Sequence, residues 1–274
     1  MDKVGKAEPK FSVVLFSFTI LISLAGFLLA LFLIAPAVWK VQINAGFGSL
    51  VIVFLVTHLV NAFMEYVFHR YVLHAPLVPF LSYFWKQHTI HHGLTRVIRK
   101  KDIAGNSFVE NKYPIVDVSQ YRASFFPWYS FLVFGLIFTP FLALIQWQMP
   151  DSPIFLGGFL ALAWSISLYE IIHALEHFPL NSWNPLLNHR RFGGFWRLVY
   201  AFHLRHHADI QCNEAISGFF GLPIADWFFG TWVNHSLLYP DGGVVSVLEF
   251  QSPKPRFIGW LDRLSVRIIE KRRG

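Results

Sequence analysis

Apolar residues fill four long uncharged stretches of the chain, Phe11–Trp39, Val41–Met64, Ala123–Pro150 and Ser152–Tyr169. Each reaches or approaches the roughly 18–20 residues that cross a bilayer as an α-helix. The pattern predicts four transmembrane helices at about 11–39, 45–68, 125–148 and 153–175. The fourth carries Leu156-Gly157-Gly158 and begins close behind the third, so those two are expected to form a tight hairpin. Lys3, Lys6 and Lys10 before the first stretch, and Ala35-Pro36-Ala37 after it, have the outline of a signal peptide. The apolar run is far longer than the roughly 7–15 residues of such a peptide, so an anchor is expected.

Between the second and third stretches, at about 69–122, the pattern turns polar, and after the fourth, at about 178–274, it is mixed. "RVIRKKD" and "GNSFVENKYP" read as loop plus surface helix, and "YRASFFPWYSF" has the Tyr, Trp and Arg mixture of an interfacial anchor. "FWRLVYAFHLRHH" is helical by period. "FFGLPIADWFFGTW" is apolar but is interrupted by Pro223 and Asp226, which predicts a surface or re-entrant segment rather than a fifth span. The expected fold is an all-α membrane protein, one membrane domain over 1–274, with four transmembrane helices and a helical cap built from the two polar segments.

Composition agrees with a membrane chain: 54% of residues are hydrophobic and 14% charged, against roughly 25% charged in soluble domains. Charge also predicts orientation. Of the 23 Lys and Arg, three precede the first stretch, eight lie between the second and third, and eleven lie from Arg190 onward. The first connection has Lys40 alone and the third has none. The positive-inside rule then puts both termini and the expected cap in the cytoplasm, in a bacterial inner membrane or the endoplasmic reticulum. The net charge of +7 reads as a face lying against anionic headgroups; no nucleic-acid motif accompanies it. Cys212 is the one cysteine, which excludes an internal disulfide, a cysteine-ligated iron–sulfur cluster and a CxxC zinc site.

Ten of the thirteen histidines fall into four clusters: His69 and His74; His88, His91 and His92; His173 and His177; His203, His206 and His207. Residues i, i+3 and i+4 share a helix face, so each HxxHH is expected to project three imidazoles into a common volume. His69 and His74, at i and i+5, do not share a face on a straight helix, which predicts a bend or a helix end there. Single histidine pairs on amphipathic helices are ordinary surface features, but four clusters with one pattern repeated point to metal. Imidazole suits Zn, Cu, Fe and Ni, and ten exceed what one zinc takes, so two metals are expected. A zincin protease site is excluded, since it needs Glu directly after the first His. His58 lies deep in its span and reads as interhelical packing rather than a ligand, while His189 and His235 stand alone.

The order HRxxxH, HxxHH, HxxxH, HxxHH, closing with "DWFFGTW" at Asp226–Trp232, resembles the fatty acid hydroxylase/sterol desaturase superfamily of integral membrane non-haem di-iron oxygenases. The resemblance covers roughly His58 to Trp232. It implies that all ten clustered histidines ligate two iron ions, with zinc able to substitute in purified protein, and that O2 and two electrons act on a lipid C–H bond. One departure is that the family often has Asn, an aromatic and Gly after the last box, where this chain has Asn213, Glu214 and Ala215.

His58, Asn61, Glu65 and His69 form one polar stripe in an apolar span, and Ser167, Glu170, His173 and His177 form another. Glu65, Glu170, Glu176, Asp209 and Asn213 are therefore candidates to orient the ligating imidazoles. The expected activity is lipid hydroxylation, with desaturation on the same scaffold or a histidine-lined metal transporter as alternatives. The chain has no evident flavin, haem or ferredoxin module, so an external donor of ferredoxin or cytochrome b5 type is expected on its basic face.

Overall fold

The computed structural model describes residues 12–101, 107–234 and 237–273. The N-terminal lysines and His235 lie outside the described residues. The fold is mostly helical. In chain order it has α1 (Val13–Ile34), α2 (Pro36–Asn44), α3 (Phe47–Phe68), a π-helical turn (His69–Leu73), α4 (Ser82–Leu94), β1 (Val97–Lys101), β2 (Ser107–Asn111) and α5 (Val118–Ser124). There follow α6 (Ser130–Gln148), α7 (Ile154–Glu176), α8 (Leu180–Leu187), α9 (Gly193–Ala208), α10 (Ile224–Phe229) and α11 (Gly259–Arg273).

Four segments, Val13–Ile34, Phe47–Leu73, Ser130–Gln148 and Ile154–Glu176, are long and apolar enough to cross a membrane. In the most apolar 18 residues of the first three, only 17%, 17% and 28% are buried, so most of that surface faces outward. Leu21, Ile52 and Leu136 are each more than 60% exposed. Surface of that kind is favourable only against an apolar medium. The first expected helix, 11–39, is two helices. Ser12 caps α1 by accepting the Leu15 N–H at 3.2 Å, and the chain breaks at Ala35 because Pro36 starts a new helix from its first position.

The chain groups into two compact units, one from the described part of Met1–Ala62 with Phe125–Glu170, the other from the described part of Phe63–Ser124 with Ile171–Gly274. The first unit packs Phe16, Ile20, Phe131, Leu162 and Ile166 around one apolar centre, and Leu31, Leu142, Phe155 and Phe159 around another. A Cβ at Gly158 would fall 2.6 Å from the end of the Leu142 side chain, so glycine there lets that side chain pack directly on the α7 backbone. His58 Nδ1 meets Ser165 Oγ at 2.9 Å and Asn61 donates to the same oxygen at 3.0 Å, an interhelical polar contact.

The second unit corrects the all-α expectation. "RVIRKKD" and "GNSFVENKYP" are expected as loop plus surface helix; their described residues instead supply two antiparallel strands, β1 and β2, with Val97 opposite Asn111 and Arg99 opposite Val109, while Asp102, Gly105 and Asn106 lie outside the described residues. Two causes lie far apart in sequence. Val97 and Val109 bury into a core with Tyr113, Trp183, Leu187, Tyr200, Leu204 and Tyr239. The β2 backbone also pairs with a distant segment, Val109 N–H donating to Gly243 O at 3.0 Å and Gly242 N–H to Val109 O at 2.8 Å. Glu110 neutralises the basic strand, ion-pairing with Arg96, Lys100 and Lys112. Within "FFGLPIADWFFGTW" only the six residues of α10 are helical, too few to span a membrane.

Candidate metal centre

All ten clustered histidines lie in the second unit, and the structure gathers them into two groups of five. The first group is His69, His74, His88, His92 and His206; the second is His91, His173, His177, His203 and His207. Within each group the five ligand nitrogens all lie within 4.8 Å of one another, a spacing that can hold a metal ion.

The expected helix end lies here: α3 stops at Phe68, and a π-helical turn over His69–Leu73 accommodates the His69–His74 spacing. His74 N–H donates to His69 O at 3.0 Å, an i→i+5 bond that brings both rings to the first group with centroids 4.9 Å apart. The two HxxHH motifs do not each serve one volume, as expected; each splits between the groups. On α4, His88 and His92 join the first group and His91 the second; on α9, His203 and His207 join the second and His206 the first. The reason is angular. At 3.6 residues per turn, i+3 and i+4 diverge by about 100°, enough to address two neighbouring centres. The groups touch, with the His92 and His207 rings stacked at 4.1 Å.

Hydrogen bonds on the outer nitrogens fix which way these rings present their lone pairs. Backbone carbonyls only accept. His69 Nδ1 therefore donates to Glu214 O (2.6 Å), His177 Nδ1 to Tyr113 O (2.8 Å), His206 Nδ1 to Cys212 O (2.8 Å) and His207 Nδ1 to Thr95 O (2.9 Å). His91 Nδ1 lies 2.8 Å from Ser124 Oγ, whose own proton goes to Gln120 O, so His91 donates as well. A neutral imidazole with its proton on Nδ1 has a bare lone pair on Nε2. His91 and His207 thus aim two lone pairs at each other across 3.2 Å with no proton between them. That arrangement is repulsive when empty and attractive around a cation.

Burial and the neighbouring imidazoles hold His74, His88, His91, His92, His203, His206 and His207 well below the ordinary histidine value of 6.5, and burial brings His177 down to about 3. The rings are therefore neutral at pH 7, the ligating form. Cys212 is no competitor. It is buried, its thiol is pushed up by desolvation, and its Sγ donates to Asp209 O at 3.2 Å.

Of the five residues expected to orient the imidazoles, Glu65, Glu170 and Asp209 bond to groups other than the clustered histidines. Glu65 accepts from Ser217 N–H (2.7 Å), Ser217 Oγ (2.5 Å) and Gly218 N–H (3.1 Å). Glu170, in the first unit, accepts the Phe126 N–H at 2.9 Å. Asp209 pairs with Arg205 at 3.4 Å and accepts the Gln211 N–H. Glu176 is buried, and its Oε2 makes no hydrogen bond. Asn213 sits in the left-handed region (φ 54°), donates to Phe202 O and accepts from Val233 N–H. Asn213 thus shapes the turn whose carbonyls, Cys212 O and Glu214 O, hold two rings of the first group. Among the described residues, the carboxylate that comes within 4 Å of clustered imidazoles is Glu214, with Oε2 3.4 Å from His69 Nδ1 and 3.9 Å from His206 Nδ1.

Asp226 explains the "DWFFGTW" ending. Its carboxylate accepts from Glu214 N–H (2.9 Å), Ala215 N–H (2.8 Å) and Thr231 Oγ1 (2.7 Å), bracing the same turn from behind. Thr95, Ser124, Glu214 and Asp226 were not foreseen as supports; Ser124 acts through its hydroxyl, and the other three through backbone carbonyls or amides that no motif encodes. Comparison with known protein families, curated proteins and solved structures gave no match.

Proposed function

We infer that the two histidine groups hold two iron ions and that the chain is an O2-dependent lipid hydroxylase in a membrane. The observation that carries the metal reading is the inward lone pairs of His91 and His207 at 3.2 Å, fixed by Ser124 and Thr95. Five nitrogens per group exceed the four of a structural zinc, and the all-imidazole, thiolate-free set suits iron. Two iron ions held there would supply the chemistry: O2 takes two electrons and two protons, one oxygen enters a C–H bond as C–OH, and the other leaves as water.

The protein's own part is positioning and exclusion. Outer hydrogen bonds keep rings in one tautomer, and burial keeps them neutral. Bulk water is shut out from the second group, all five of whose residues are buried. The substrate class is an amphipathic membrane lipid, whether fatty acyl, sterol-like or polar, a reading supported by the apolar surface that three of the four long helices turn outward. The two electrons come from an external ferredoxin or cytochrome b5 type protein. The charge pattern supports an orientation with the termini and the metal centre on the cytoplasmic side.

The test joins two measurements on the same cells and protein. Metal analysis of the purified chain is expected to give about two iron ions per chain with no haem absorption. Lipid mass spectrometry of cells with and without the gene is expected to show one class gaining one oxygen. A loss of two hydrogens instead would favour the desaturase reading. Metal uptake into vesicles with no lipid product would favour transport. Protein that takes up no iron would end the reading altogether.

A further inference from the structure

Arg70 directly follows a ligand of the first group, is buried, and binds two carboxylates at once. Its Nη1 donates to Glu214 Oε1 at 2.9 Å and to Gln211 O at 3.0 Å. Its Nε and Nη2 form a two-pronged pair with Asp262 of α11 at 2.9 and 3.0 Å, and Tyr71 Oη donates to the same carboxylate at 2.8 Å. One guanidinium therefore serves two carboxylates, so the trio carries net negative charge when both are ionised. Glu214 Oε2 makes no hydrogen bond of its own and lies beside the outer nitrogens of His69 and His206. The outer partners described for the second group are all neutral: Tyr113 O, Thr95 O and Ser124 Oγ.

We propose that Glu214, fixed through Arg70 by Asp262 of the C-terminal helix, is a positioning residue that strengthens metal binding in the first histidine group and not in the second. A carboxylate beside a ligating imidazole's N–H raises the basicity of the opposite nitrogen and offsets the charge of the ion. Here one carboxylate stands beside two such N–H groups. The docking of α11 thereby becomes part of the metal centre. This step rests on the two-metal reading above.

The experiment uses the full chain in detergent, titrated anaerobically with ferrous iron and examined by Mössbauer spectroscopy. In the wild type, two ions bind and give two ferrous signals. In Glu214→Gln, one ion is expected to bind as before and the other about 10–100-fold more weakly, with one signal fading. Glu214→Asp restores part of the loss. Asp262→Asn acts in the same direction more weakly, and it carries the test if the Glu214 variant does not fold. Equal weakening of both ions overturns the proposal, because a merely structural role would loosen both; so does unchanged binding of both. A wild-type chain that fails to take two ions overturns the metal reading itself.

Discussion

The two five-histidine groups are built from the same side chain and from overlapping helices, yet they differ in enclosure and in what stands behind the rings. In the second group all five residues are buried, whereas in the first His74 and His92 are half-buried. The first is backed by the 212–214 turn with its carboxylate, the second by two carbonyls and a serine hydroxyl. The contrast teaches that ligand count does not set a metal's character; the outer atoms and the path to solvent do. The first group is the more open of the two, and the second is closed off on every side by its own burial.

The largest effect comes from removing a ligand. His206→Ala and His203→Ala are each expected to leave about one ion per chain and to abolish lipid oxidation, measured by metal analysis and product mass spectrometry. The surviving ion belongs to the opposite group in the two variants. If both variants lose both ions, the groups are one cooperative site and the comparison breaks.

Chelator sharpens it next. Exposed to a membrane-impermeant chelator in detergent, the wild type is expected to lose its ions in two phases, the first group's before the second's. His74→Ala accelerates the fast phase alone. A single phase would show that the half-buried rings give no separate exit.

Acid follows. The folded-state values of these histidines lie below the free value of 6.5, with His177 at about 3. The unfolded chain then binds more protons than the folded one throughout that interval, so stability rises with pH across it. Fold and metal retention are expected to be full above about pH 6.5 and to decline as pH falls toward 3, read by thermal unfolding and metal content. Retention unchanged down to pH 4 would contradict the buried neutral rings.

The smallest expected effect is Ser124→Ala. It strips His91 Nδ1 of its acceptor and leaves a buried N–H unsatisfied, at a cost of about 1–3 kcal/mol in thermal stability. The second group's ion is expected to weaken while the first group's is unchanged.

Much of this was legible in the residues alone. Four uncharged runs of spanning length appear as four apolar helices, because length and hydropathy are local properties. The four histidine clusters marked the residues that the structure gathers into two groups able to hold a metal ion, because their helical spacing already places several imidazoles on shared faces. Where the reading failed, distant partners decided. Strand pairing at Val97–Lys101 depends on Ser107–Asn111 and on Gly242 and Gly243, against the surface-helix reading of a lysine-rich run. Glu65 and Glu170 share a face with histidines along their helices, yet each satisfies backbone N–H groups that are remote from it in sequence, at Ser217 and Gly218 or at Phe126.

The sequence by itself determined the chemistry available, ten imidazoles without a competing thiolate, and the apolar lengths that frame it. Only the tertiary structure decided that each HxxHH divides between two histidine groups, that a π-helical turn brings His69 and His74 together, and that Glu214 stands behind the first group. The physical reason is that a ligand set is written in side chains, whereas its orientation is set by carbonyls and charges brought in from other parts of the chain, and these have no local pattern to read.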